Sequence, residues 1–197
     1  MHLRMLAITG VLVAGLAAPL STAQAAPSRG LTPHSGRFDA RPLPTTAAAV
    51  QAELNDVLAG DPTAKQLNSH EVALNGGKVI YSVPVPGSRR SSSQPTPTAT
   101  PLSVNDCPND WLCLWQGTNY SLRLIRFTNI GYLQDIRPYF TNVNSYYDNR
   151  GQRAFLHYDL NASGTEVCVS AYQRNSATAP WINSHTYAVY LANSSGC

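Results

Sequence analysis

From Trp111 onward, short apolar runs alternate with clusters of turn residues, and the rhythm is that of strands. The runs are Trp111–Trp115, Leu122–Phe127, Ala154–Tyr158, Glu166–Tyr172 and Thr186–Ala192, each rich in β-branched and aromatic residues. Between them lie Gln116-Gly117-Thr118-Asn119, Asn149-Arg150-Gly151, Asn161-Ala162-Ser163-Gly164, and Asn175–Ala179 followed by Pro180. Short strands at this spacing predict an all-β sandwich or Greek-key body, and no segment here carries a helical period. Fifteen of the seventeen aromatic residues fall between Trp111 and Tyr190, so the core of this body is built on rings.

The first half has a different pattern. Residues 46–58 place Val50, Leu54, Val57 and Leu58 on one stripe, with Thr45 or Thr46 as cap and Gly60 and Pro62 as stop; this predicts a helix. Residues 78–83 follow the Gly76-Gly77 turn and alternate apolar with polar, which predicts a strand. Residues 84–104 are rich in Pro, Ser and Thr and read as a flexible linker, because they hold too little apolar surface to repay ordering. On this reading residues 26–83 are a mostly irregular leader or pro-region, and residues 105–197 form the folded domain. The Arg89-Arg90 pair in the linker is a candidate processing site, though such a pair is as easily a solvated one.

The start of the chain predicts export. Arg4 precedes an apolar stretch from Met5 to Leu20, and Ser21-Thr22-Ala23-Gln24-Ala25-Ala26 supplies the small residues a signal peptidase reads. Residues 1–25 are therefore expected to be a cleaved signal peptide, too short and too interrupted by Gly and Pro to serve as a membrane span. Cysteine usage agrees. All four cysteines (Cys107, Cys113, Cys168 and Cys197) lie in the last part of the chain, and an even number in an exported protein reads as disulfides. Three pairings are possible. The nearest-neighbour scheme, Cys107–Cys113 with Cys168–Cys197, is preferred; its rings contribute roughly 2 and roughly 3.5 kcal/mol in the loop-entropy account.

Charge and candidate chemistry argue against several classes. The net charge is +3 and the charges nearly cancel after Cys107, so no basic face for nucleic acid is expected. His157 is expected to face away from Phe155, as a surface residue or cross-strand hydrogen-bonding partner, and His185 to lie in a turn. Asp135, Asp148, Asp159 and Glu166 show no paired spacing, and no GxSxG, HExxH or phosphate loop occurs. The chain is read as a non-enzyme with no cofactor and no metal.

The segment Cys107-Pro108-Asn109-Asp110-Trp111-Leu112-Cys113-Leu114-Trp115, leading to Tyr120-Ser121, resembles the opening of secreted inhibitor domains of the Streptomyces metalloproteinase inhibitor type. Residues 139–146 resemble the second signature of that βγ-crystallin-like Greek-key fold, and residues 67–79 resemble the region before the domain in such precursors. Two positions depart from the pattern. Ser121 stands where a Gly is expected, and Thr141 and Tyr146 replace outer members of the calcium turn, leaving Asn142 and Ser145 in register. With no carboxylate in that turn, weak calcium binding or none is expected.

The resemblance implies a secreted, monomeric inhibitor of an extracellular peptidase, a thermolysin-like metallopeptidase, acting through a disulfide-constrained, substrate-like loop. Such enzymes favour a large apolar residue after the scissile bond. Cys168-Val169 is thus the candidate reactive bond, Cys113-Leu114 being read as core. The alternative is a βγ-crystallin-like extracellular module for cell-wall glycan or a surface target, toxin-like in the extreme, with Tyr146, Tyr147 and Trp181 as a candidate patch.

Overall fold

A computed structural model describes residues 36–87, 102–128, 131–160, 164–179, 182 and 185–197. The expected signal peptide, the Arg89-Arg90 pair, Trp181 and most of the expected linker lie outside these residues.

The helix forms where the stripe places it. α1 spans Ala47–Leu58, and the Thr46 hydroxyl accepts from the Ala49 amide as its N-cap. Val50, Leu54 and Val57 turn inward, and the Gly60 amide donates to the Val57 carbonyl as the helix ends. Three strands follow: β1 (Lys65–Asn68), β2 (Glu71–Leu74) and β3 (Val79–Ser82). After residue 101 come β4 (Leu112–Gly117), β5 (Ser121–Phe127), β6 (Leu133–Asp135), β7 (Ser145–Asp148), β8 (Ala154–His157), β9 (Glu166–Val169), β10 (Arg174–Asn175) and β11 (Ala188–Leu191).

These strands make two antiparallel sheets. One runs β1-β2-β3-β5-β4-β7-β10, the other β6-β11-β8-β9. The main apolar core lies on one face of the larger sheet. It joins Val50, Leu54 and Val57 of α1 with Val72, Leu74 and Tyr81, then Leu112, Leu114, Ile125 and Phe127, and finally Leu156, Val169, Val189 and Leu191 of the smaller sheet. The period of two explains the division. Leu112 and Leu114 enter this core, while Cys113 and Trp115 turn to the other face and cluster with Cys107 and Leu124.

The organisation expected for residues 26–83 needs correction. Residues 36–83 are not a mostly irregular leader: they contribute one helix and three strands, and β3 pairs with β5 from Val79↔Phe127 to Ser82↔Leu124. All described residues fall within one compact unit. The reason is physical. β5 has two faces and two edges, and β4 covers only one edge.

Both disulfides follow the nearest-neighbour scheme, Cys107–Cys113 and Cys168–Cys197, each with Cα atoms 5.8 Å apart. The β4–β5 hairpin turns through Asn119 and Tyr120, both with positive φ (53° and 59°). Here the residue that must lack a side chain is Gly117, where a Cβ would fall 2.3 Å from Ser121 Oγ. Ser121 itself is accommodated, its hydroxyl donating to the Thr118 carbonyl at 2.5 Å.

Candidate functional site: the free edge of β9

β9 is the outer strand of the smaller sheet, and no described strand pairs with its other side. Its register with β8 is regular, Ala154↔Val169 through His157↔Glu166. The Tyr158 amide donates to the Thr165 carbonyl just beyond the ladder. In an antiparallel pair, bonded and non-bonded positions alternate. Residues 165, 167 and 169 therefore direct their backbone groups to β8, and Glu166 and Cys168 direct theirs outward.

Three anchors fix this edge. Val169 is fully buried and belongs to the main core. Cys168 is bonded to Cys197, which ties the C-terminal tail to the strand. That tail is held in turn: the Arg153 amide donates to the Ser194 carbonyl (2.7 Å), the Arg153 guanidinium donates to the Gly196 carbonyl, and the Ala171 amide donates to the Ser195 carbonyl (3.4 Å). The turn after β9 is equally determined. The Gln173 amide donates to the Ser170 carbonyl, Gln173 Oε1 accepts from the Ser170 amide at 2.8 Å, and Gln173 Nε2 donates to the Tyr146 hydroxyl at 3.1 Å. At its tip Tyr172 has φ 58° and is 65% exposed, one of the largest apolar side chains open to solvent among the described residues.

Two placements differ from expectation. Val169 cannot serve as the residue after a scissile bond, because its side chain is in the core and has none of the exposure an enzyme pocket requires. Cys168–Val169 is a peptide within an anchored strand, so the expected reactive bond is not presented. His157 is not a surface residue. It is 3% exposed and lies on the same face as Phe155, their rings 6.2 Å apart, because residues two apart in a strand share a face. Its Nδ1 sits 3.6 Å from Glu166 Oε2, and neither ring nitrogen makes a hydrogen bond. His185 is exposed and meets Tyr158 edge-on at 6.5 Å.

Under the turn that carries Tyr172 lies a buried ion pair that sequence reasoning missed. Arg150 Nε and Nη2 donate to the Asp148 carboxylate at 2.8 and 3.0 Å, with both side chains almost wholly buried. Burial pushes the Asp148 carboxyl up to about 6, against the opposing pull of Arg150. The Arg150 carbonyl accepts from the Tyr172 amide, so the pair and the turn are mechanically joined. The signal for it was the tight Asp148-Asn149-Arg150 spacing within a turn.

The calcium-turn candidates are used structurally. The Ser145 hydroxyl donates to the Gly117 carbonyl at 2.6 Å and accepts from the Tyr120 amide at 3.0 Å, bracing the β4–β5 hairpin. The Asn142 amide donates to Asp39 Oδ1, a carboxylate that also accepts from the Thr141 amide and hydroxyl and from the Gly36 amide. The turn thus gains a carboxylate from a residue about a hundred positions away, but N–H and O–H donors already occupy it. Among the described residues no group of three or more His, Cys, Asp or Glu could hold a metal ion, and no helix is long and apolar enough to cross a membrane. No family model, curated protein sequence or solved structure matches this chain.

Proposed function

We propose that this protein is an exported, non-enzymatic inhibitor of peptidases, thermolysin-like metallopeptidases in the first instance, and that it docks through the β9 edge. The observation that carries this reading is the unpaired edge itself: outward backbone groups at Glu166 and Cys168, on a strand fixed by Val169 and by Cys168–Cys197. Peptidases bind substrates as extended chains through main-chain hydrogen bonds, and a ready-made strand offers the same groups. Because the strand is fixed before contact, little ordering entropy is lost on docking. Tyr172, three residues after β9, is an exposed aromatic of the type that contributes most at interfaces. The Cys168–Val169 bond is not offered for cleavage, since the Val169 side chain is locked in the core.

Inhibition assays with thermolysin and with subtilisin test the proposal, using the full chain and the variant Glu166→Pro. Proline on an edge strand, with its nitrogen toward solvent, leaves the sheet intact and removes one outward donor. The expected result is inhibition of thermolysin by the native protein, weakened about 10-fold or more in the variant, as an unsatisfied interface partner costs. A native protein that inhibits neither enzyme but is retained on cell-wall material would replace this reading with the binding-module alternative.

A further inference from the structure

The contacts of residues 36–83 with the rest of the molecule have the character of a bound partner. The Arg123 guanidinium on β5 is 1% exposed, and its hydrogen bonds show where its partners come from. Nε and Nη2 donate to the two oxygens of Glu53 at 2.7 and 2.8 Å. Nη1 donates to Phe38 O and Arg41 O, and Nη2 donates to Pro42 O. Only Gln116 Oε1, at 2.9 Å from Nη1, belongs to the same part of the chain as Arg123. The Tyr81 hydroxyl donates to Glu53 Oε1 at 2.6 Å and completes the carboxylate's shell.

Two further seams run beside this one. The β3–β5 ladder gives main-chain pairing over four residues. At the other end, the Arg37 amide donates to Arg137 O (3.0 Å) and the Phe38 amide to Tyr139 O (2.7 Å), while Asp39 receives the Thr141 and Asn142 amides. Gly36 lies so close to the Phe140 backbone that a Cβ would fall 2.5 Å from Phe140 Cα. Phe38, Val50, Leu54, Val72, Leu74 and Tyr81 are all buried in the shared core.

We infer that residues 36–83 are a retained partner of residues 102–197, recognised through the β5 edge and the Arg123 socket, and that they stay bound when the chain joining the two is cut. Apolar burial, strand addition and a fully hydrogen-bonded buried ion pair all act across this one boundary. Each is the kind of contact that holds separate polypeptides together. Departure of the segment would strip Arg123 of its carboxylate and of all its hydrogen-bond partners but Gln116, and would expose to water the apolar side chains of β4 and β5 that it covers. Cleavage between residues 87 and 102 therefore gives a two-chain protein, and residues 36–83 do not leave as a discarded leader.

The test places a site-specific protease recognition sequence within residues 88–101 of the full chain, cuts it, and runs the product on native size exclusion followed by mass spectrometry. Both fragments are expected in one peak at the mass of the uncut protein, separating only in denaturant. Recovery of residues 102–197 without the N-terminal fragment, in solution or as a precipitate, overturns the inference. Exchange against an isotope-labelled peptide of residues 36–87 sharpens it. Glu53→Gln in the cut protein is expected to speed exchange about 10-fold or more, whereas Lys65→Gln on the exposed β1 is expected to leave it unchanged. Equal rates for the two variants would remove Arg123 as the recognition point.

Discussion

β5 and β9 each carry an edge that its own hairpin partner does not cover, and the molecule treats the two in opposite ways. The free side of β5 is sealed by β3 and, around Arg123, by Glu53 and the carbonyls of Phe38, Arg41 and Pro42. The free side of β9 is left open, yet the strand is pinned by a disulfide and by a buried valine. An open, unmanaged edge invites aggregation, so proteins usually cover or shorten theirs. β9 is short and carries Glu166 at its open end, which limits indiscriminate pairing while leaving the ladder available. One edge is closed within the molecule, and the other is the edge at which we propose a partner docks.

Breaking the sealed edge should have the largest effect. Glu53→Ala leaves Arg123 buried without a counter-charge and is expected to cost about 3–5 kcal/mol, read as a lower urea midpoint with a similar slope. Removing the staple of the open edge comes next. Cys168→Ser with Cys197→Ser is expected to lose roughly 3.5 kcal/mol in the loop-entropy account and to loosen the Cys168 strand toward its hydrogen-exchange limit, with β5 amides remaining protected.

The ion pair beneath the turn gives a pH signature. Asp148 has a folded pKa of about 6 against an ordinary value of 3.8, so the folded state holds this proton more tightly than the unfolded state. Its contribution is therefore greatest below the unfolded pKa and is lost as pH rises from about 4 through about 6, by an amount on the order of 3 kcal/mol. Glu71 works in the opposite sense, its carboxyl being lowered by Arg126 against the effect of burial. Asp148→Asn should remove the decline between pH 4 and 6, so that the variant gains on the native protein across that window, measured by urea titration at stepped pH. Smallest is Glu166→Pro, expected to change stability by less than about 1 kcal/mol while weakening inhibition, since the changed donor faces solvent.

What the chain made readable follows from how local each signal is. The α1 stripe, the Thr46 cap and the alternation in β4, β5, β8 and β11 are properties of neighbouring residues, and each element lies within a few positions of its expected span. The disulfide pairing also emerged correctly, because each pair closes a short ring. β1 was not legible: Lys65-Gln66-Leu67-Asn68 is exposed throughout and has no alternation, and it is a strand only because β2 lies beside it. β10 is two residues long. The Arg123–Glu53 socket joins residues seventy positions apart, and in sequence each looks like an ordinary surface charge. The facing of Val169 was not legible either, because it depends on which side of β9 meets the core. Cys168 and Val169 lie on the edge strand, and period-two facing sends the Val169 side chain inward.

Amide hydrogen exchange of the full chain, alone and with thermolysin, examines both edges in one experiment. Exchange at Glu166 and Cys168 is expected to be fast in the free protein and to slow on complex formation, with Leu124 and Ile125 of β5 protected in both states. Unchanged exchange at Glu166 and Cys168 in a formed complex, or rapid exchange at Leu124 and Ile125 in the free protein, would contradict the division between a sealed and an open edge.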